Sequence, residues 1–395
     1  MYYSRGMATT PHKSTQQFSP RERTREDLYR LIRTSEEITR SDLVEATGLS
    51  RSTVNHAISR LLADGLITET EPRTKGPGSG SGRPATKLSA VAVGAHVAGI
   101  DFGHNHIYVA VADGLGRTVG EERIELDVDL QASDAMDVAV DLLARLRRTH
   151  RIDGLGSVVA GIPGPLDTAT GLVQSPTILS SWVGLSPADE LGERLGTTVH
   201  VENDAVLGAY GELTRGAGRH YANFLYVKAS HGIGASLVIG GVPYRGATGI
   251  AGEIGHTHLP GQTQMCRCGN RGCLEAVVSV DSIREQIAHT HPTLDAATLG
   301  LTTVRDAITE RILNEAGRTL GGVLADLCNL LNPEAVVVGG ELGDAGPSLI
   351  KGVQASITRH AQPATAAVLE VVPAALSTSA ELVGALQLAA SVVPR

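Results

Sequence analysis

The sequence predicts two parts, a small all-α winged helix-turn-helix head and a larger α/β body. Three observations predict them. Apolar residues recur at helical spacing as far as Leu62. A stretch rich in Gly, Ser and Pro, Pro72–Pro84, then carries no core-forming side chain. From His96 onward β-like runs alternate with helical ones, the texture of α/β architecture. The 395 residues exceed one ordinary domain, and 42% hydrophobic content supports a sizeable core.

Residues 1–20 are polar and aperiodic and predict a disordered tail. The head is predicted over 21–71. Arg21–Thr34 places Leu28, Leu31 and Ile32 on one helical face. A second helix is expected to start with Ser41 as N-cap and to end at Gly48, with Leu49 plugging the core. Ser50 caps a third, which buries Val54, Ala57, Ile58, Leu61 and Leu62 and stops at Gly65. Leu66–Glu69 and Thr86–Leu88 can pair as a wing, making 72–90 wing and linker, with the domain boundary in Pro72–Pro84.

The body is predicted over 91–395. His96–Asp113 forms two strands about a turn, and Thr118–Leu126 a third. A helix fills Ala132–Arg148, and Leu155–Ile162 is a buried strand running into Pro163-Gly164-Pro165. Strands follow near Val199–Glu202, Phe224–Lys228 and Ala235–Ile239. A long helix precedes Asn332, a strand Ala335–Val338 leads into Gly339-Gly340, and a last helix starts near Ala380.

Charge separates the two parts. Residues 1–90 carry 14 Lys+Arg against 10 Asp+Glu, whereas the remainder carries 20 against 32. A basic head on an acidic body fits nucleic-acid binding by the head alone. An aromatic content of 3% argues against stacking platforms for single-stranded nucleic acid. No apolar run approaches a membrane span and the N-terminus lacks a signal-peptide core, so a cytoplasmic protein is expected.

Ser41–Ile67 has helix-turn-helix spacing. The outer face of its third helix offers Arg51, Ser52, Thr53, Asn55 and His56 near a helix N-terminus, where such motifs meet base edges and phosphates. Arg83, held between Gly82 and Pro84, is suited to a minor groove. A palindromic double-stranded operator bound by a homodimer or homotetramer is the expected partner.

The most specific signal is Glu253-Ile-Gly-His256 followed by Cys266-Arg-Cys268-Gly-Asn-Arg-Gly-Cys273-Leu-Glu275. His256, Cys266, Cys268 and Cys273 make a complete tetrahedral set for one structural zinc, and Gly269 and Gly272 let the chain turn back tightly. Cys328, in an apolar helical stretch, is expected to be merely buried.

Through this run the chain resembles the ROK family (repressor, open reading frame, kinase), in its transcriptional-regulator branch of xylose and N-acetylglucosamine type. The resemblance covers essentially everything after residue 20. It implies an actin-like (ribonuclease H-like), two-lobed sugar kinase fold for the body, with a zinc loop over 253–275. It also implies a sugar pocket lined by Asn203, Asp204, Glu253, His256 and Glu275, with Asp204 at the position of the kinases' general base. Carboxylates and an amide suit a ring of hydroxyls. His256 could hold zinc through one ring nitrogen and a sugar hydroxyl through the other.

The chain departs from the kinase pattern on the phosphate side. The first loop reads Asp101-Phe-Gly103-His104-Asn105, where family kinases have a second Gly and a Thr. The second reads Ser230-His231-Gly232-Ile233-Gly234-Ala235-Ser236 and also lacks glycines of the pattern. Phosphate cradles need close backbone approach, so His104, His231, Ala235 and Ser236 are expected to fill that space. Gly339-Gly340 survives near the adenosine position, but a tight strand-to-helix turn would equally account for it. The expectation is a sugar-responsive repressor of carbohydrate uptake or catabolism, released by a sugar or sugar phosphate. ATP is not expected to bind productively, and Asp204 would be a vestigial base. Closure of the two lobes around the sugar is expected to displace paired heads from their half-sites. An ATP-dependent sugar kinase is the alternative. A purely structural zinc protein would need neither the Asn203-Asp204 pair nor Glu253 and Glu275.

Overall fold

A computed structural model describes residues 20–35, 38–70, 86–92, 94–167, 169–174 and 179–393. The predicted tail, apart from Pro20, and Arg83 lie outside the described residues. The chain divides into two units, 1–92 and 93–395.

The head contains α1 (Pro20–Thr34), β1 (Ile38–Thr39), α2 (Arg40–Thr47), α3 (Arg51–Ala63), β2 (Ile67–Thr70) and β3 (Lys87–Ala90). The cap of α2 is Thr39 and not Ser41. Thr39 and Asp42 form a reciprocal capping box, which outcompetes a lone serine. Gly48 ends α2 at φ 65°, and Ser50 caps α3 by accepting from the Thr53 N–H, both as expected. Leu28, Ile32, Leu43, Val54, Ile58 and Leu61 are fully buried, whereas Leu49 and Leu62 are only half-buried. The core is plugged by Leu43 instead of Leu49. The wing pairs Ile67 with Ala90 and Thr70 with Lys87, antiparallel, and β1 adds to the other edge of β3. Leu88 and Ala90 of β3 are buried in the head, whose unit runs to Ala92.

The body starts with β4 (His96–Phe102), β5 (His106–Ala112), β6 (Thr118–Glu125), α4 (Ala132–His150), β7 (Leu155–Ile162), α5 (Pro187–Leu195) and β8 (Val199–Asn203). Then come α6 (Asp204–Arg215), β9 (Phe224–Ala229), β10 (Ile233–Ile239) and β11 (Val242–Tyr244). After α7 (Leu274–Val278), α8 (Val280–Thr290) and α9 (Ala307–Leu331) follow β12 (Ala335–Gly339), α10 (Gly340–Gly343), α11 (Pro347–His360), α12 (Pro363–Val368), β13 (Glu370–Pro373) and α13 (Ala380–Val392).

Two five-stranded sheets result, ordered β6-β5-β4-β7-β8 and β11-β10-β9-β12-β13. Each has three antiparallel strands followed by two parallel ones, so the same topology occurs twice. Each lobe has its own apolar core. Helices α6 and α13 pack against each other closely enough that a Cβ at Gly211 would strike the Ala380 carbonyl, and one at Gly384 the Leu207 carbonyl. In that crossing Ala380, at the start of α13, meets the middle of α6, and Lys228 links the Asp204 and Glu381 side chains. No described helix is long and apolar enough to cross a membrane.

Candidate metal centre and ligand cleft

The metal loop is built by tight turns. Gly269 (φ 89°) and Gly272 (φ 71°) have left-handed backbones, and a side chain on Gly272 would strike the Gln262 carbonyl. The Leu259 N–H donates to the Gly272 carbonyl (2.7 Å) and the Cys266 N–H to the Asn270 carbonyl (2.8 Å). One ligand atom from each of His256, Cys266, Cys268 and Cys273 then falls within 4.8 Å of all the others. Cys268 Sγ and Cys273 Sγ are 3.7 Å apart, and Cys266 Sγ lies 3.6 Å from His256 Nδ1. These four residues can hold one metal ion. Cys328 is buried within α9, as expected, and burial pushes its thiol up to about 11.

His256 turns its other nitrogen, Nε2, toward Glu253 (3.8 Å). Glu275 accepts from the Ile233 N–H (3.2 Å) through Oε2, while its Oε1 lies 3.8 Å from Cys266 Sγ. Metal loop and cleft therefore share His256 and Glu275. Burial, helped by the charges of Asp204 and Glu275, pushes the Glu253 carboxyl up against the opposing pull of His256.

Asn203, Asp204, Glu253, His256 and Glu275 all line this one cleft. Asn203 is the N-cap of α6. Its Oδ1 accepts from the N–H groups of Ala205 (2.9 Å) and Val206 (3.3 Å), and its Nδ2 donates to the Gly164 carbonyl (3.2 Å). Asp204 is thereby fixed at the helix start. Its Oδ1 accepts from Ala205 N–H (2.7 Å) and its Oδ2 from Lys228 Nζ (2.7 Å).

Lys228 and Glu381, 3.7 Å apart, were not among the residues anticipated for the site. Each leaves a signal in the sequence. Lys228 interrupts the apolar strand FLYVKA, and Glu381 opens the apolar helix AELVGALQLAA. Burial pushes the Glu381 carboxyl up to about 7 against the pull of Lys228. Between the unfolded value near 4.5 and about 7, the folded state thus holds a proton that the unfolded state has lost. This group's contribution to stability falls as pH rises through that window. Subtracting the stability–pH curve of Glu381→Gln from that of the wild type should show this decline. A flat difference would remove the assignment.

The phosphate loops match the sequence reading only in part. His104 Nδ1 pairs with Asp129 (2.8 Å), His231 Nδ1 with Asp281 (3.2 Å), and the two rings meet edge-on in the cleft at 6.4 Å. Asn105 Nδ2 reaches His231 Nε2 (3.3 Å). Ala235 and Ser236 do not fill the phosphate space. Strand β10 continues through them and buries both side chains away from the cleft lining. Gly340 (φ 76°) has no room for a Cβ against the Ala229 carbonyl and Ser230 Oγ, so a tight strand-to-helix turn accounts for that glycine.

In the head, Arg51, Ser52, Thr53, Asn55 and His56 are all exposed on α3. The hydroxyls of Ser52 and Thr53 bond the Ser50 cap at 2.8 Å, whereas the longer side chains of Arg51, Asn55 and His56 take no part in that cap.

A winged helix-turn-helix joined to a duplicated α/β body, with a His/Cys₃ loop beside an acidic cleft, is an actin-like sugar kinase fold carrying a DNA-binding head. The chain belongs to the ROK family, whose pattern matches residues 97–392, and residues 21–68 match a winged helix-turn-helix DNA-binding domain. It is 27% identical to a xylose repressor of Bacillus spizizenii over 88% of this chain and 89% of that protein. It is 30% identical to a glucokinase of Halalkalibacterium halodurans over 72% of this chain and 92% of that one. Among solved structures, a ROK family transcriptional regulator, a homologue of the E. coli MLC protein, superposes with a TM-score of 0.69. That match has 23% identity over 94% of this chain and 96% of the other.

Proposed function

We propose that this protein is a sugar-responsive, DNA-binding transcriptional repressor of carbohydrate uptake or catabolism genes, and not a sugar kinase. The observation that supports the choice is the pair of imidazoles, His104 and His231, which meet edge-on in the cleft, in the two loops where the kinase pattern has phosphate-cradling backbone. The repressor relatives, matched over nearly their whole length including the head, support the same reading. The head reads a palindromic operator as part of a homodimer or homotetramer, in the cytoplasm where its DNA is.

Zinc is the metal that the loop suits. Zn–S near 2.3 Å and Zn–N near 2.0–2.1 Å in a tetrahedron imply about 3.8 Å between sulfurs and about 3.6 Å between sulfur and nitrogen. The 3.7 and 3.6 Å separations fit those values. When bound, zinc would fix His256 and, through the loop, Glu275, without entering any chemistry.

The cleft's charge narrows the effector. Asp101, Asp204, Glu253, Glu275, Glu341 and Glu381 line it against Arg123 and Lys228. A phosphate group would meet net repulsion there, whereas neutral hydroxyls find acceptors. A neutral sugar is therefore the effector of choice over a sugar phosphate, and calorimetry with matched pairs of the two tests it.

For the head, Arg51→Ala with Asn55→Ala should weaken operator binding by about 1–3 kcal/mol per lost base contact. Gel-shift titration on the palindrome is the measurement. Unchanged affinity in the double variant would end the recognition-helix assignment.

A further inference from the structure

Three carboxylates from separate elements converge deep in the cleft: Asp101 on β4, Asp204 at the start of α6 and Glu381 at the start of α13. Their side chains are 2%, 11% and 4% exposed. Three such acids cannot share a buried space without a cation or protons to compensate them. Lys228 supplies a cation, with its ammonium 2.7 Å from Asp204 Oδ2 and 3.7 Å from Glu381 Oε1. Burial opposes its charge, but Asp204, Glu381 and Asp101 together outweigh burial and hold the ammonium above its ordinary value. Asp101 Oδ2 is also 3.2 Å from His106 Nε2, while its Oδ1 is buried with no hydrogen-bond partner among the described residues. The cluster thus has more oxygen donor capacity than Lys228, His106, the Ala205 N–H and the Tyr226 hydroxyl consume. Clustered carboxylate oxygens are what hard divalent cations bind.

We propose that Lys228 is a resident cation, filling a cation position bounded by Asp101, Asp204 and Glu381, so that the cleft excludes divalent metal until the lysine is removed. A tethered ammonium cannot leave, so the state of the site does not follow the Mg²⁺ supply. Phosphoryl transfer relies on metal ions that bridge and neutralise the phosphates. Lys228 therefore determines the site's specificity, keeping it a binder of uncharged ligand. The inference concerns the same cleft as the proposed sugar site, but its test does not require sugar to bind.

Mn²⁺ is the probe, with free ion followed by electron paramagnetic resonance in titrations of full-length, zinc-loaded protein. Wild type and Lys228→Arg should bind no Mn²⁺ in the cleft. Lys228→Ala should gain about one Mn²⁺ per chain, and adding Asp204→Asn should abolish the gain. Lys228→Ala can fail to fold because it strands three acids. Lys228→Ala/Glu381→Gln restores the cluster's formal charge and should also bind Mn²⁺, with operator binding reporting an intact head and circular dichroism an intact body. The proposal is overturned if wild type binds Mn²⁺ in an Asp204-dependent manner, or if neither lysine variant binds it. Lysine variants that stay unfolded with Mn²⁺ present overturn it as well. Sugar calorimetry on the same wild-type protein is read separately. Absence of sugar binding would remove the effector reading and leave the Mn²⁺ result standing.

Discussion

Cys266→Ser and Cys273→Ser proteins should purify with metal near zero and lose their response to sugar, while operator affinity stays close to wild type. A neutral hydroxyl is a poor replacement for a thiolate ligand. Structural zinc contributes about 10–16 kcal/mol of apparent binding free energy in small zinc peptides near neutral pH, so its loss is not a small perturbation. Apart from the metal, the loop is held chiefly by its turns and bridges, such as Leu259 N–H to Gly272 and Cys266 N–H to Asn270. Cys273 is also the N-cap position of α7, whose second residue is Glu275. Releasing the loop frees His256 and Glu275 together, and two walls of the cleft go with them. The head has its own buried core of Leu28, Ile32, Leu43, Ile58 and Leu88, which is why DNA binding should survive. Metal analysis, sugar calorimetry and gel shift on the same preparations check the three parts. Wild-type protein with well under one zinc per chain ends the premise. A full sugar response in either variant ends the link between metal and cleft.

The head and the metal loop were the most legible parts of the sequence because their signals are local. Helix caps, a glycine at φ 65° and four residues able to hold a metal within one short stretch are all set by neighbours in the chain. Even there, competition between nearby side chains decided details. Thr39 displaced Ser41 as cap because Asp42 completes a reciprocal bond, and Leu43 took the core place expected of Leu49. The cleft is different. Lys228 meets Asp204 across 24 positions and Tyr226 meets Glu381 across 155, so no window of sequence contains those pairings. What a window could show was a charge inside an apolar run, a hint at burial but not at the partner. The duplicated sheet topology was equally hidden, since it is a repeat of strand order and not of residues. The opposite error, assigning Ala235 and Ser236 to the phosphate space, came from reading a loop motif past the point where β10 begins at Ile233.

Asp204→Ala or Glu253→Ala should abolish measurable sugar binding, and neither these variants nor the wild type should phosphorylate sugar with ATP. Both carboxylates line the cleft, and a hydrogen bond from a sugar hydroxyl to a charged group would contribute about 1.5–3 kcal/mol. With about 1.4 kcal/mol per tenfold, one such bond is worth roughly ten- to a hundredfold in affinity. Asp204→Ala does more, because it deprives Lys228 of its 2.7 Å partner and disturbs the charge balance around Glu381. The kinase prediction has a different basis. A general base accelerates transfer only when a phosphoryl group is held in line with the hydroxyl it deprotonates. Asp204 is held by Lys228, and His104 and His231 line the same cleft, each anchored by its own aspartate at 2.8 and 3.2 Å. A phosphate cradle needs close approach to backbone N–H groups, and the two imidazoles line the cleft beside Gly103 and Gly232. Calorimetry with neutral hexoses, pentoses and amino sugars tests the first half, and a coupled assay with ATP and the same panel tests the second. Binding that persists unchanged in both variants removes the sugar-site assignment. Wild-type turnover of about 1–100 s⁻¹, the usual range of kinases, would establish the enzyme instead and make His104 and His231 part of an unfamiliar phosphate site.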